Sequence, residues 1–268
     1  MKIGDIGLIG AGNIGSAFVR GWVGADAAMA SRLVVADAAG FVAERLAEET
    51  GVTVAGSNRE LVERCDLVLV AVKPGDIESS LTDCLDLFGM GKIIVSLAAG
   101  RTTTSLEMLF TVGVPVIRLM PNVAVAVGAG TLVLATGEHV DLETEEMVTE
   151  LLAPLGRIVT LPEKLFSAAT AISGSGPGFM ALIADGFIDA GVMAGLPGPV
   201  SRELTVSMLE GTARLLIEEG LSPTELRHRV TSPAGTTAAG LAQLERDGVR
   251  SAIIDAVQVT VHRSNELG

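Results

Sequence analysis

From its start to about residue 160, the chain alternates short apolar, β-branched runs with stretches whose apolar positions recur at helical spacing. Ile3–Ile9, Leu33–Ala36, Leu67–Val72, Ile93–Ser96 and Pro115–Leu119 predict strands, each short and bounded by turn residues. Between them, Ile14–Val23, Val42–Thr50, Arg59–Arg64 and Ile77–Phe88 predict helices. Strands apolar on both faces need helices on both sides, so the expected class is α/β with a doubly wound parallel sheet. Val133–Ala135 and Ile158–Leu161 are expected to extend that sheet.

After Pro162 the pattern turns wholly helical: Gly176–Gly195, Val200–Gly220, Pro223–Arg229, Thr237–Asp247 and Val249–Leu267. Prolines 162, 177, 197, 199, 223 and 233 fall at the breaks between these segments. The expected division is residues 1–162, a nucleotide-binding domain, and residues 163–268, a helical one. Gly176–Gly195 is apolar on nearly every side, which a domain of this size cannot cover alone. A homo-oligomer, at least a dimer, is therefore expected.

Composition narrows the picture. The net charge is −13, and both parts are acidic, which argues against a nucleic-acid partner. Hydrophobic residues make up 49% of the chain, but Pro177–Val200 carries Asp185 and Asp189, and Val114–Ala135 carries Pro115, Arg118 and Pro121. Neither is a clean membrane span, and no membrane partner is expected. Ile3–Ile9 runs into a glycine turn rather than a signal-peptide cleavage site. Cys65 and Cys84 form no metal-binding spacing and fit reduced thiols in a cytoplasmic protein. No metal is expected.

Gly10-Ala11-Gly12-Asn13-Ile14-Gly15 matches G-x-G-x-x-G, follows an apolar run and opens a helix. The first glycine makes the turn and the second admits a pyrophosphate to the backbone. The third lets helix and strand pack closely, with the helix N-terminus facing the anion. Asp37 lies 22 residues past Gly15, where an acid accepts from the adenosine ribose 2′-OH; capping the helix near Phe41 is the alternative. No Lys or Arg follows until Arg45, so nothing there neutralises a 2′-phosphate.

Further segments complete a pattern: Val70-Ala71-Val72-Lys73-Pro74, Arg118-Leu119-Met120-Pro121-Asn122, Ser173-Gly174-Ser175-Gly176-Pro177 and Val230-Thr231-Ser232-Pro233-Ala234-Gly235-Thr236-Thr237. In this order they resemble the pyrroline-5-carboxylate reductases over essentially the whole chain. The resemblance implies a Rossmann domain followed by a helical dimerisation domain. It also implies reduction of the ring C=N of a small cyclic imine carboxylate, 1-pyrroline-5-carboxylate, to L-proline. The cofactor would be NADPH or NADH, with the family leaning to NADPH. Cofactor contacts would fall on Ile9, Gly10, Ala11, Gly12, Asn13 and Ile14, on Asn58, on Val72, Lys73 and Pro74, and on Ala98 and Ala99. Substrate contacts would fall on Glu163, Gly235, Thr236 and Thr237.

The last loop is also readable on its own. Ser232-Pro233 before small residues and two threonines predicts a helix start whose free N–H groups bind a carboxylate, with the Thr237 hydroxyl offered to the ring nitrogen. An imine nitrogen protonates readily, so positioning rather than a strong acid carries the chemistry. His139, His228 and His262 lie outside every motif. The chain departs from the family at Asn122-Val123-Ala124, Gly178-Phe179, Ala234 and Ser167. Two rivals fit less well. A β-hydroxyacid dehydrogenase needs a catalytic lysine where this chain has Met180, and a non-catalytic dinucleotide-binding relative has no use for the Ser232–Thr237 loop.

Overall fold

The computed structural model describes residues 3–89 and 91–267. The described strands are β1 Ile6–Ile9, β2 Leu33–Ala36, β3 Thr53–Val54, β4 Leu67–Val70, β5 Ile93–Ser96, β6 Val116–Pro121, β7 Gly130–Thr136 and β8 Gly156–Thr160. They form one sheet in the order β3-β2-β1-β4-β5-β6-β7-β8, parallel throughout except where β6 meets β7. Around it lie α1 Asn13–Ala25, α2 Gly40–Thr50, α3 Asn58–Arg64, α4 Ile77–Leu81, α5 Thr103–Glu107 and α6 Leu142–Leu152.

The continuous apolar runs are explained by two cores. Leu8, Val35 and Leu69 point to one face, against Phe18 and Trp22 of α1; Ile9, Val34 and Val68 point to the other, against Leu61 of α3 and Ile77 of α4. Each such side chain, fully buried, contributes about 1.5–3 kcal/mol. The Trp22 indole N–H donates to the Leu151 carbonyl at 2.8 Å, tying α1 to α6.

Several expectations need correction. β1 and β4 are shorter than Ile3–Ile9 and Leu67–Val72, which leaves Ala71–Pro74 as loop. The predicted helix Ile77–Phe88 breaks after α4 into a 3-10 segment, Thr82–Leu87. There Ser80 Oγ donates to the Ile77 carbonyl and Thr82 Oγ1 to the Glu78 carbonyl, competing with the helical ladder. The sheet extension through β7 is antiparallel to β6. Only a 3-10 turn, Val123–Val127, lies between them, too short for a crossover. β3, α5 and α6 were not predicted.

The chain forms two compact units, Met1–Ser175 with Val261–Gly268, and Gly176–Thr260. The first runs past Pro162 through α7 Phe166–Ala169 and a π turn at Thr170–Gly174. The second holds α8 Gly176–Met193, α9 Gly198–Glu218, α10 Pro223–Arg229, α11 Thr236–Arg246 and most of α12 Val249–Leu267. Small residues let α8 and α9 approach: Ser201 Oγ donates to the Ile188 carbonyl at 2.8 Å and sits where a Cβ on Gly191 would collide. No residue of α8 is buried, and Leu182 and Phe187 are 74% and 51% exposed. The helical run Glu163–Met193 has the length and apolar composition of a membrane span, contrary to the expectation that no segment does. It contains Asp185 and Asp189, and its bare apolar surface is of the kind that a second subunit would cover.

Candidate active site

The glycine turn joins β1 to α1. Gly10 N–H donates to the Ala36 carbonyl at 2.8 Å, and Gly10 takes φ +97°, the left-handed region that favours glycine. A Cβ there would also lie 2.7 Å from the Ala71 carbonyl oxygen. A Cβ on Gly15 would collide with the carbonyl oxygen of Gly10, so the third glycine sets how closely α1 approaches the turn. Gly12 differs: nothing in the protein lies within 4 Å of a Cβ built on it. Gly12 is the N-cap of α1 and supplies no side-chain acceptor, which leaves the N–H groups of the first turn facing open space. That uncapped, side-chain-free helix start fits a dinucleotide pyrophosphate.

Asp37 is more committed than either sequence reading allowed. One carboxylate oxygen accepts from Ala11 N–H at 2.7 Å and the other from Ala39 N–H at 2.8 Å. The residue therefore does not cap α2 near Phe41, whose N-cap is Ala39 with no side-chain bond. It braces the glycine turn against the end of β2. A cavity of about 830 Å³ opens beside it, within the range of small-molecule sites, about 300–1,000 Å³. Ile9, Gly10, Gly12, Asp37, Asn58, Val72 and Lys73 are among its lining residues. Lys73 is the one cation among the described residues of that lining, against Asp37 and Asp76. Arg59 is held away by both Asp86 oxygens, at 2.8 and 3.0 Å, and by Glu63.

The other expected contacts are placed as follows. Asn58 Nδ2 donates to the Ser80 carbonyl at 2.8 Å, joining α3 to α4, which leaves its second N–H, its carbonyl oxygen and its backbone for a ligand. Ala98 is buried and Ala99 exposed, on the loop leaving β5. Glu163 lines a small pocket and is also held by its neighbours: Thr103 N–H, Thr103 Oγ1 and Arg118 Nη1 all donate to its carboxylate, at 3.0, 3.0 and 3.1 Å. Thr103 and Phe166 carry no signal in the sequence, and Arg118 stands out there only within a motif and as a charge in an apolar stretch. Cys65 and Cys84 are buried free thiols, pushed by burial to pKa values of about 12 and about 11, which removes them as nucleophiles.

In the helical unit, Ser232–Thr237 leads into α11. Gly235 N–H donates to the Ser232 carbonyl at 3.0 Å, and Gly235 caps α11 with no side-chain bond. The open donors are thus those of the helix's own first turn, Thr236 and Thr237 foremost, and not that of Gly235. Thr237 is half-buried and Ser232 exposed. Ala234 takes φ +57°, the only positive value on a non-glycine among the described residues. A Cβ in that region costs about 1–2 kcal/mol, partly offset because alanine restricts the unfolded chain. Ala234→Gly is therefore expected to raise stability by about 0.5–1 kcal/mol, seen as a higher Tm. A lower Tm would mean that Ala234 packs usefully enough to outweigh its strain.

A family model described as pyrroline-5-carboxylate reductase dimerisation matches residues 163–267. A second, described as NADP oxidoreductase, coenzyme F420-dependent, matches residues 5–100. The pyrroline-5-carboxylate reductase of Corynebacterium melassecola is 36% identical over 98% of this chain and 98% of its own. The solved structure of that enzyme from Coxiella burnetii superposes with a TM-score of 0.89 at 29% identity, covering 99% of this chain and 98% of the other. The Plasmodium falciparum pyrroline carboxylate reductase, solved with NADP bound, gives a TM-score of 0.87 at 27% identity over 98% of both chains. A Rossmann-type unit followed by a helical dimerisation domain is what these relatives share with the present chain. The chain belongs to the pyrroline-5-carboxylate reductase family, oxidoreductases that use NAD(P)H and assemble as homo-oligomers.

Proposed function

We propose that this chain reduces 1-pyrroline-5-carboxylate to L-proline in the cytoplasm, as an oligomer of at least two copies, and accepts NADH at least as well as NADPH. The observation that carries the reading is the pair of uncapped helix starts, α1 behind Gly12 and α11 behind Gly235. The first suits a pyrophosphate and the second a carboxylate. The bound dinucleotide supplies the hydride. The protein's share is to orient the imine, hold its carboxylate on the first turn of α11 and present the Thr237 hydroxyl to the ring nitrogen. Within residues 163–268, the long apolar face of α8 is what a second copy would cover.

The cofactor preference rests on Asp37. NADPH brings a 2′-phosphate beside β2, where Asp37 is held by two backbone N–H groups and cannot turn away without releasing them. Arg59, a candidate to neutralise that phosphate, is paired with Asp86. Two charges about 4 Å apart interact by about 4 kcal/mol at an effective dielectric near 20, before screening. A quarter of that shifts preference by roughly fivefold. The ratio of kcat/KM for the two cofactors is expected to favour NADH or to stand near unity, and Asp37→Ser to move it towards NADPH by roughly fivefold or more. A wild-type enzyme favouring NADPH tenfold, unchanged by the substitution, would overturn the assignment.

A further inference from the structure

We propose that Asp76 reads the adenine end of the dinucleotide, its carboxylate accepting from the 6-amino group of the base, and so is a specificity-determining residue for the cofactor. The inference rests on the reading that the cavity beside the glycine turn holds a dinucleotide, and it names what recognises the base there. Gly10, Gly12 and Asp37 line one side of that cavity. With the pyrophosphate at the α1 start and the adenosine ribose at the end of β2, the base falls on the side that remains. That side is built by residues 55–58, after β3, and by residues 72–80, after β4. Adenine offers flat apolar faces and, past the ribose, a single donor group, the 6-amino group. Ala38, Ala55 and Val72 supply apolar surface for the faces.

Most polar side chains of that wall are committed elsewhere. Ser57 Oγ accepts from Glu60 N–H at 3.1 Å, capping α3, and Asn58 Nδ2 donates to the Ser80 carbonyl at 2.8 Å. Ser79 Oγ donates to the Asp76 carbonyl at 3.0 Å and Ser80 Oγ to the Ile77 carbonyl at 2.8 Å, each turned back on its own segment. Asp76 differs. Its backbone N–H donates to the Lys73 carbonyl at 2.9 Å, which fixes the turn Pro74–Asp76. Its carboxylate caps nothing on α4 and has no hydrogen bond or ion pair among the described residues. A free carboxylate repels a cofactor that brings a charged pyrophosphate into the same cavity. A donor on that cofactor offsets the repulsion, and a charged acceptor makes the stronger kind of hydrogen bond. The adenine amine is the donor that a dinucleotide carries to this side. Asp76 is exposed, so water competes for the bond and holds its effect below that of a buried one.

Deleting the amine from the ligand and the carboxylate from the protein, singly and together, isolates the contact. NADH and its purine analogue, in which hydrogen replaces the 6-amino group, are each titrated by fluorescence into the wild type, Asp76→Ala and Asp76→Asn. The wild type is expected to bind NADH roughly threefold to fifteenfold tighter than the purine analogue. In Asp76→Ala that ratio should fall to within about twofold. Asp76→Asn, whose amide oxygen accepts without a charge, should fall between the two. Any general relief of repulsion towards the phosphates moves both ligands together and leaves the ratio alone. Tm should hold in both variants, because the side chain has no cap bond to lose. A ratio unchanged in Asp76→Ala would make Asp76 no more than a charge near the cavity and overturn the proposal; a wild type that binds both ligands alike would do so as well. Wild-type protein that binds neither ligand would instead be a failure of the proposed function.

Discussion

Thr237→Val is expected to lower kcat/KM for pyrroline-5-carboxylate by roughly 10- to 200-fold, matching about 1.5–3 kcal/mol for a lost hydrogen bond to a charged group. Valine keeps the shape and β-branching of threonine, so the α11 start should survive and the carboxylate site with it. The loss should therefore fall on the reaction and leave NADH affinity almost untouched. Thr237 is the second residue of α11 and half-buried, and no described side chain caps the helix before it. Full activity in the valine variant would remove the hydroxyl from the mechanism and leave only the backbone N–H groups to hold the substrate.

The second large effect separates two glycines of one motif. Gly12→Ala places its methyl in open space at φ −65°, which alanine adopts freely, so Tm should barely move. NADH Kd should rise by roughly 10- to 100-fold, because the methyl occupies the approach of the pyrophosphate to the α1 start. Gly15→Ala should do the reverse in order. Its methyl meets the Gly10 carbonyl oxygen, part of the backbone, and the cost is about 1–3 kcal/mol of stability before any ligand is added. Thermal melts with and without NADH, alongside a titration, read both numbers. If Gly12→Ala binds NADH as well as the wild type, the pyrophosphate does not lie where the turn places it.

Local features carried over from sequence to structure well, and distant pairings did not. The glycine turn was legible because all of its determinants fall within six consecutive residues between an apolar strand and a helix. The strand positions were legible because both sheet faces are covered, so β2 and β4 read as unbroken apolar runs. Strand direction was not, because composition carries no sign for it; the short Asn122–Ala129 connection was the clue to β7. β3 is two exposed residues, too short for any periodicity to register. Helix α6 was within reach: Asp141 caps it through Thr144 N–H, and Val148 and Leu152 recur four apart on its buried side.

The site divides along the same line. Asp37 could be placed from its spacing, but its bonds to Ala11 and Ala39 follow from how the turn closes on β2. Glu163 meets Thr103 and Arg118 across separations of 60 and 45 residues, which no motif encodes. Ala234 stands out in the sequence only as a departure from the family; its φ of +57° reveals that the position is a left-handed one.

Hydride transfer from a bound nicotinamide to the imine carbon of pyrroline-5-carboxylate can be followed by supplying NADH with both hydrogens of the transferring nicotinamide carbon replaced by deuterium and analysing the proline formed. The expected product carries one deuterium per proline, on the ring carbon that was doubly bonded to nitrogen, with one NADH oxidised for each proline made. Proline without the label, or NADH oxidised with no proline formed, would contradict such a transfer.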